Sequence, residues 1–562
     1  MEGPRFLLAI VLSIAVVILV NLLFQPTRPP DRTMADSLRV DTVRIDTVRG
    51  APARPSVDTA PVLEDIPQPP PVQASDSPPG PADTFWIETD VARYGITNRG
   101  AAVVSAELLR FESYTRDGPV QLVEPLNGPL LDFAIRLGNQ VLPLDRLEFS
   151  GPIAAGDTVR VTDRTELPLS ASFNGAQVEL TFRFAAGSYT VDLAGRVQGL
   201  QTSDATLLLG LGPRLAVNEA DSAEDVRALA YVVNSRQAGI ESVNIRDVET
   251  DRIEEGPLRW IALKNKYFLA AVIEAGEEGS AFGGLLAEGS SSGAASVQAT
   301  YPLGTETAFL FRLFFGPQEQ GRLAALGEGL ADVNPYGWRI FRPIIRPLAH
   351  VVTWLLVGLH NALGLGYGWV LILFGVAMRG LLWPLNAKAM RSQLKTMELQ
   401  PRIKEIQTKY KEKPELLQKE MMRLYKEEGF NPLGGCLPML IPWPVLITLF
   451  FVFQNTIEFR GVEFLWLPDL SRPDPIYLLP VLLGASLFAL QYMNMRAAPQ
   501  DNPQQKMLLW FLPIMMTVIF LNFASGLNLY YAASNVASLP QQVGIIRERK
   551  KARARIAEKG AT

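Results

Sequence analysis

Residues 366–385 read Gly366-Tyr-Gly-Trp-Val-Leu-Ile-Leu-Phe-Gly375-Val-Ala-Met-Arg379-Gly-Leu-Leu-Trp-Pro384-Leu385. Such a run, with a single charge, is long enough to cross a bilayer as a helix. The charge is Arg379. Close to mid-span it costs roughly 2.5–3.5 kcal/mol on insertion scales. It must face a polar cavity, pair with an acid, or snorkel. No Asp or Glu lies in any candidate span, and Glu458, Glu463 and Asp469 fall in an outer loop. Two readings stand: a snorkelling side chain near the inner end of the helix, or a hydrated pocket that attracts anionic groups.

Further apolar runs flank this one. They are Leu437–Phe453, Ile476–Met493, Met507–Phe523 and Gly526–Ile546, with Phe6–Phe24 at the start. Together they give six expected spans. The apolar stretch Leu348–Leu359 is shorter and follows Arg339, Arg342 and Arg346, so it is expected to lie along the interface. No A-x-A cleavage site follows Phe24, which favours an uncleaved anchor over a signal peptide.

Charge sets the orientation. Residues 387–434 carry 11 Lys+Arg against 7 acids, and the tail from Arg547 carries 7 against 2. Both are expected in the cytoplasm. With six spans both termini are then cytoplasmic, and residues 25–333 are periplasmic in a bacterial-type inner membrane. Residues 25–84 hold 13 prolines and no aromatic residue, a composition that cannot bury enough surface to offset ordering entropy. They read as an extended tether.

From residue 85 the pattern changes to period two. Val178-Glu-Leu-Thr-Phe182-Arg-Phe184, a Gly187-Ser188 turn and Tyr189-Thr-Val191-Asp-Leu193 form a hairpin signal with one buried face. Thr307–Phe315 is another strand-like run, ending at Gly316-Pro317. Many short strands argue for an antiparallel sandwich. Residues 84–332 carry 20 Lys+Arg against 33 Asp+Glu, and Lys264 and Lys266 are the only lysines before Lys388.

The expected units are an anchor at 1–24, the linker at 25–84, the β domain at 85–330 and an interfacial helix at 331–365. Spans two to six occupy 366–386, 435–456, 476–495, 507–523 and 526–546. A cytoplasmic hairpin at 387–434, a periplasmic loop at 457–475, a cytoplasmic loop at 496–506 and a basic tail at 547–562 connect and close them.

Composition excludes several chemistries. The 562 residues include one cysteine, Cys436, and two histidines, His350 and His360, so no disulfide framework, zinc site or His-based triad is expected. No G-x-S-x-G, H-E-x-x-H or Walker loop is present. The chain is expected to be no enzyme, and to use no metal, cofactor or small-molecule substrate.

In the last span Asn528, Tyr531, Asn535, Ser538 and Gln542 recur at steps of 3, 4, 3 and 4, on one helical face. They read as interhelical hydrogen-bond glue or as the wall of a wet groove. In the loop at 387–434, Met390, Leu394, Met397, then Ile403, Ile406, Tyr410, then Leu417, Met421 and Leu424 form apolar stripes, with a turn at Lys413-Pro414. That is a helical hairpin, self-packed or presenting methionines as an adaptable docking surface. The tail Arg547–Arg555 suits anionic lipid, ribosomal RNA phosphates, or a plain topology anchor.

Gly429-Phe-Asn-Pro-Leu-Gly-Gly-Cys-Leu-Pro438 resembles the signature of the YidC/Oxa/Albino family of membrane protein insertases. Val376–Leu385 resembles that family's arginine-bearing span, Gln418–Tyr425 the end of its hairpin, and Phe523–Tyr531 with Ser534-Asn535 its last span. Thr97–Gly100, Trp260 with Tyr267-Phe268, Phe315–Pro317 and Tyr336–Trp338 resemble its Gram-negative form. The likeness covers about 85–546. It implies an α-helical polytopic membrane protein with a five-helix insertase core, plus an all-β periplasmic supersandwich. It implies a groove open to the cytoplasm and to lipid, with Arg379 as the groove arginine and Tyr531 as the groove tyrosine. The partners it implies are nascent membrane proteins, the Sec translocon, the ribosome and the lipid bilayer.

The chain departs from the pattern at Gly375, where a hydroxyl is common, at Pro442 for glutamine, at Ala524 for proline, and at Pro540 inside the last span. A small-anion transporter is the competing class, but no internal repeat is seen. A tethered periplasmic binding module would leave Arg379 and the polar stripe unexplained.

Overall fold

The computed structural model describes residues 82–561, apart from 125–127, 155, 201–203, 277–279, 290–294, 304–306, 335, 338–340, 385–401, 404, 412, 428–441 and 497–502. The expected anchor, all but the end of the linker, Met390, Leu394, Met397 and the stretch Gly429–Pro438 lie outside the described residues. Residues 72–562 group into one compact unit.

The strands are β1 (Thr84–Glu88), β2 (Ala92–Thr97), β3 (Val103–Glu112), β4 (Pro119–Gln121), β5 (Asp132–Leu137), β6 (Gln140–Pro143), β7 (Thr158–Arg160), β8 (Arg164–Phe173) and β9 (Ala176–Ala185). They continue as β10 (Thr190–Gln198), β11 (Ala205–Gly210), β12 (Ala230–Ser235), β13 (Gly239–Asn244), β14 (Arg252–Lys264), β15 (Phe268–Glu274), β16 (Phe282–Gly289), β17 (Ala295–Leu303) and β18 (Thr307–Pro317). One sheet has the order β4-β3-β2-β1-β7. The larger runs β6-β5-β11-β17-β16-β14-β15-β18-β10-β9-β8, with β12 and β13 added on β14. Pairing is antiparallel except for β1 with β7, a parallel contact the sequence reading did not contain.

The expected hairpin is β9–β10, with Val191 opposite Phe184 and Leu193 opposite Phe182. Along β9 burial alternates strictly, so Val178, Leu180, Phe182 and Phe184 enter the core while Glu179 and Arg183 face water. Each such side chain contributes about 1.5–3 kcal/mol by leaving water. β18 does not stop at Gly316-Pro317 as expected; it pairs through Pro317 opposite Phe268. Pro317 lies at the strand's last position, and the next residue, Gln318, donates its N–H to the Tyr267 carbonyl at 2.8 Å. Trp260 is fully buried, and its indole N–H donates to the Glu328 carbonyl at 2.9 Å.

The helices are α1 (Ser222–Ala228), α2 (Gln320–Leu326), α3 (Arg342–Leu363), α4 (Tyr367–Leu381), α5 (Pro414–Glu427), α6 (Pro442–Asn455), α7 (Leu478–Arg496), α8 (Pro503–Phe520) and α9 (Ser525–Ala561). Helices α3, α4, α6, α7, α8 and α9 share a second hydrophobic core, centred on Phe374, Val452, Phe453, Leu483, Phe520 and Tyr530. Among the described residues only α3 has the length and apolarity of a full span; α4, α6, α7 and α8 contain shorter apolar helices. Helix α3 outgrows the twelve-residue run of the sequence reading because Arg342–Pro347 adds turns in front of it.

Two expected boundaries shift. Helix α9 is not interrupted at Pro540 and does not end at 546, but continues through the tail to Ala561. Proline removes one hydrogen bond, and membrane helices tolerate that where neighbours re-satisfy the backbone. Helix α8 likewise runs through Pro513, whose carbonyl accepts from the Thr517 hydroxyl at 2.9 Å. Pro442 opens α6, the helix position where proline costs least.

Candidate functional site

The site grows from the contact of α4 with α9. A Cβ added at Gly375 would lie 3.0 Å from the Tyr530 carbonyl oxygen and 3.4 Å from the Ser534 backbone nitrogen. Glycine here lets the two backbones close up, as small residues do in membrane bundles. One turn further along, Arg379 occupies the last turn of α4, where a cation also suits the helix dipole. The side chain is half-buried, and its Nε is buried without a hydrogen-bond partner. Among the described residues no carboxylate pairs with it. A guanidinium with an unsatisfied buried Nε in an apolar bundle has the capacity to take an anion.

Helix α9 brings two tyrosines to this part of the bundle, of which Tyr530 lies within electrostatic reach of Arg379. Tyr530 is buried against Phe374, ring centroids 5.8 Å apart. Tyr531 is half-buried, its ring edge-on to Phe520 at 5.4 Å.

The polar stripe of α9 divides. Asn528 is fully buried, and its amide donates to the Phe520 carbonyl at 3.1 Å, tying the start of α9 to the end of α8. Asn535 donates to the Ser486 hydroxyl of α7 at 2.9 Å. Ser538 donates to the Asn535 carbonyl of its own helix at 2.6 Å. Asn528 and Asn535 thus tie α9 to α8 and α7, while the Ser538 bond stays within its own helix. Gln542 is half-buried, with an unpartnered buried Oε1. Asn528 Oδ1 is also unpartnered.

In the hairpin, Lys413 starts α5, its carbonyl accepting from the Leu417 N–H at 2.9 Å, so the expected turn is present. Ile403, Ile406, Tyr410, Leu417 and Met421 are half-buried and Leu424 is buried, between exposed polar neighbours. Met422 is 53% exposed.

A second polar centre was not legible in the sequence. The loop between α6 and α7 is not a free outer loop, because Ile457 enters the β-domain core. Arg460 pairs with Glu219 at 2.8 Å, their side chains only 4% and 8% exposed. Arg460 also donates to the Glu112 carbonyl and lies over the Tyr114 ring. The Tyr114 hydroxyl donates to Asp469 at 2.9 Å. Burial pushes the Glu219 carboxyl up to about 7, against the pull of Arg460. The two early lysines belong to the same region. Lys264 donates to Asn334 at 2.7 Å and is pushed down to about 8 by burial, and Lys266 pairs with Glu224 at 2.8 Å. No periodicity signals such long-range pairs. The only hint was the isolated appearance of two lysines in an acidic domain.

Comparison with known proteins fits this two-part architecture. The 60Kd inner membrane protein family pattern matches residues 358–553, and the YidC periplasmic domain pattern matches 84–351. The membrane protein insertase YidC of Chlorobium phaeovibrioides is 32% identical over 527 residues, covering 84% of this chain and 86% of its own. That of Cupriavidus necator is 32% identical over 520 residues and 90% of each chain. A solved active YidC insertase with its first transmembrane domain resolved aligns with 81% of this chain and 91% of its own, at 18% identity and a TM-score of 0.34. Matched in order over both parts and related at above 30% identity along most of its length, the chain belongs to the YidC family of membrane protein insertases, inner-membrane proteins with a periplasmic domain.

Proposed function

We propose that this chain inserts inner-membrane proteins through a hydrated groove in which Arg379 meets the acidic residues of short translocated segments. The observation that carries the reading is the Arg379 guanidinium, held in the helical bundle with no carboxylate partner among the described residues. At 4 Å and an effective dielectric near 20, attraction to one carboxylate is about 4 kcal/mol. That offsets much of the penalty for bringing a charge inward. Tyr531 is assigned to the same groove by the family resemblance, and Gln542 brings an unpartnered buried oxygen to that face of α9. The apolar part of the client slides into lipid along α6 and α8. The membrane potential adds about 2.3 kcal/mol per charge per 100 mV, so neither nucleotide nor catalytic residue is required.

The partners are those the family resemblance implies. Nascent chains and the ribosome meet the hairpin, with Met421 and Leu424, and the basic end of α9. The Sec translocon assists longer clients. Both termini face the cytoplasm, residues 25–333 face the periplasm, six spans cross, and α3 lies along the outer interface. The transporter alternative has no support in the relatives described above, which are insertases.

The test is reconstitution of the purified chain in liposomes with a single-span client carrying one translocated Asp. Protease protection should depend on Arg379: Arg379→Ala should lower it about tenfold and Arg379→Lys should largely preserve it. Equal loss in both variants would overturn the charge mechanism. Protection indifferent to either would remove Arg379 from the site.

A further inference from the structure

A cavity of about 470 Å³ lies between the β domain and the outer ends of the helices. This is within the range of roughly 300–1,000 Å³ typical of small-ligand sites. Its floor is apolar: Phe450 and Phe453 from the last turns of α6, Phe523 between α8 and α9, and Leu527 at the start of α9. Its walls are charged. One is Arg472, in the loop before α7; the other is the acidic edge of α1, with Glu219, Asp221 and Glu224, beside Lys266.

Existing pairs account for part of this charge. Glu219 is held by Arg460 and Glu224 by Lys266. Arg472 and Asp221 are exposed. The Arg472 guanidinium lies over the Tyr114 ring at 5.2 Å, with no carboxylate partner among the described residues, and Asp221 caps α1 by accepting from the Glu224 N–H. The same cavity thus combines an exposed cation and an exposed carboxylate with an apolar floor. Depth is set by the neighbouring loop, which exposes Leu465, Trp466, Ile476 and Tyr477. Aromatic and apolar side chains at the ends of membrane helices mark the headgroup level.

We propose that this cavity binds one zwitterionic glycerophospholipid with a primary ammonium. The phosphate sits at Arg472, the ammonium at Asp221, and the acyl chains begin over Phe450 and Phe523. A purely anionic headgroup would leave the carboxylates opposed by like charge. A quaternary ammonium cannot donate hydrogen bonds to them. The site is separate from Arg379, and it ties the β domain to the bilayer surface.

Purified full-length protein, delipidated in detergent, would be titrated with phosphatidylethanolamine, phosphatidylcholine and phosphatidylglycerol, and bound lipid counted by native mass spectrometry. One phosphatidylethanolamine should be retained about tenfold more tightly than the other two. Arg472→Gln should weaken it about tenfold. Asp221→Asn, which keeps the helix cap, should erase the preference over phosphatidylcholine while leaving the Arg472 dependence. Both positions are exposed, and an unchanged melting temperature would certify the fold. Equal retention of all three lipids, or indifference to Arg472→Gln, would mean annular lipid only and overturn the proposal. Free phosphoethanolamine competing as well as the lipid would overturn the role of the apolar floor. A photo-crosslinker at Phe450 that captures client chain and no lipid would assign the cavity to the client instead.

Discussion

At the residue scale two arginines show opposite solutions to burial. Arg379 leaves a donor unsatisfied, which is costly unless something visits it. Arg460 is satisfied on every side by Glu219, the Glu112 carbonyl and two aromatic rings. Removing one partner of a buried pair leaves the other uncompensated, at a cost of about 3–5 kcal/mol. Arg460→Ala should therefore lower the melting temperature sharply. Pairing it with Glu219→Ala should restore part of the loss, so that the double variant falls short of the summed single effects. Additive effects in calorimetry would show that the pair is not coupled. Arg379→Ala should leave melting nearly unchanged while impairing insertion, because no carboxylate among the described residues is paired with it.

At the element scale, close helix contacts depend on residues without side chains. Gly375 faces the Tyr530 backbone and Gly484 faces Thr517 and the Pro513 carbonyl. Gly375→Ala should cost about 1–3 kcal/mol by overpacking, since the nearest atom is backbone oxygen at 3.0 Å and cannot swing away. Thermal unfolding in detergent checks this, and an unchanged midpoint would show that α4 and α9 yield easily. Asp474 acts at the same scale. Its carboxylate accepts from the backbone N–H groups of Ile476 and Leu479, capping α7 where the loop returns to the membrane. The stripe on α9 shows how period alone misleads. Spacing puts Asn528, Asn535 and Ser538 on one face, but the neighbours of that face decide between glue and groove. Here Phe520 and Ser486 accept the two amides.

At the scale of the whole molecule, the β domain docks on the helical part through groups that titrate near neutrality. Glu458 is pushed up to about 7 by burial, with Glu319 adding to the rise, although the Gln320 amide bonds to it. Glu219 moves the same way among Arg460, Asp225 and Lys266. Both carboxyls bind protons more tightly folded than unfolded, where the value is about 4.5. Their contribution is thus full below about pH 4.5 and is lost as pH rises through 7. Hydrogen exchange in the loop 457–475 should accelerate between pH 5 and 8, after correction for intrinsic exchange. Glu458→Gln should flatten the dependence. A flat profile in the parent protein would rule out titration at this junction.

The division of labour between sequence and tertiary structure follows from range. Alternation in Val178–Phe184, the length of Gly366–Leu385 and the excess of Lys and Arg at 387–434 are local patterns, and each is tied to one period or one solvent. They determined a β domain, apolar helices and a lone arginine within one of those helices without reference to any distant residue. The combination of motifs from Thr97 to Asn535 determined the family. What only the tertiary structure decided is which groups meet: Arg460 with Glu219 across 241 positions, Tyr114 with Asp469 across 355. It also decided which amides of α9 are tied to neighbouring helices and where a charged cavity opens above an apolar floor. The energies there depend on burial and partner geometry, and neither is encoded in the spacing of residues along the chain.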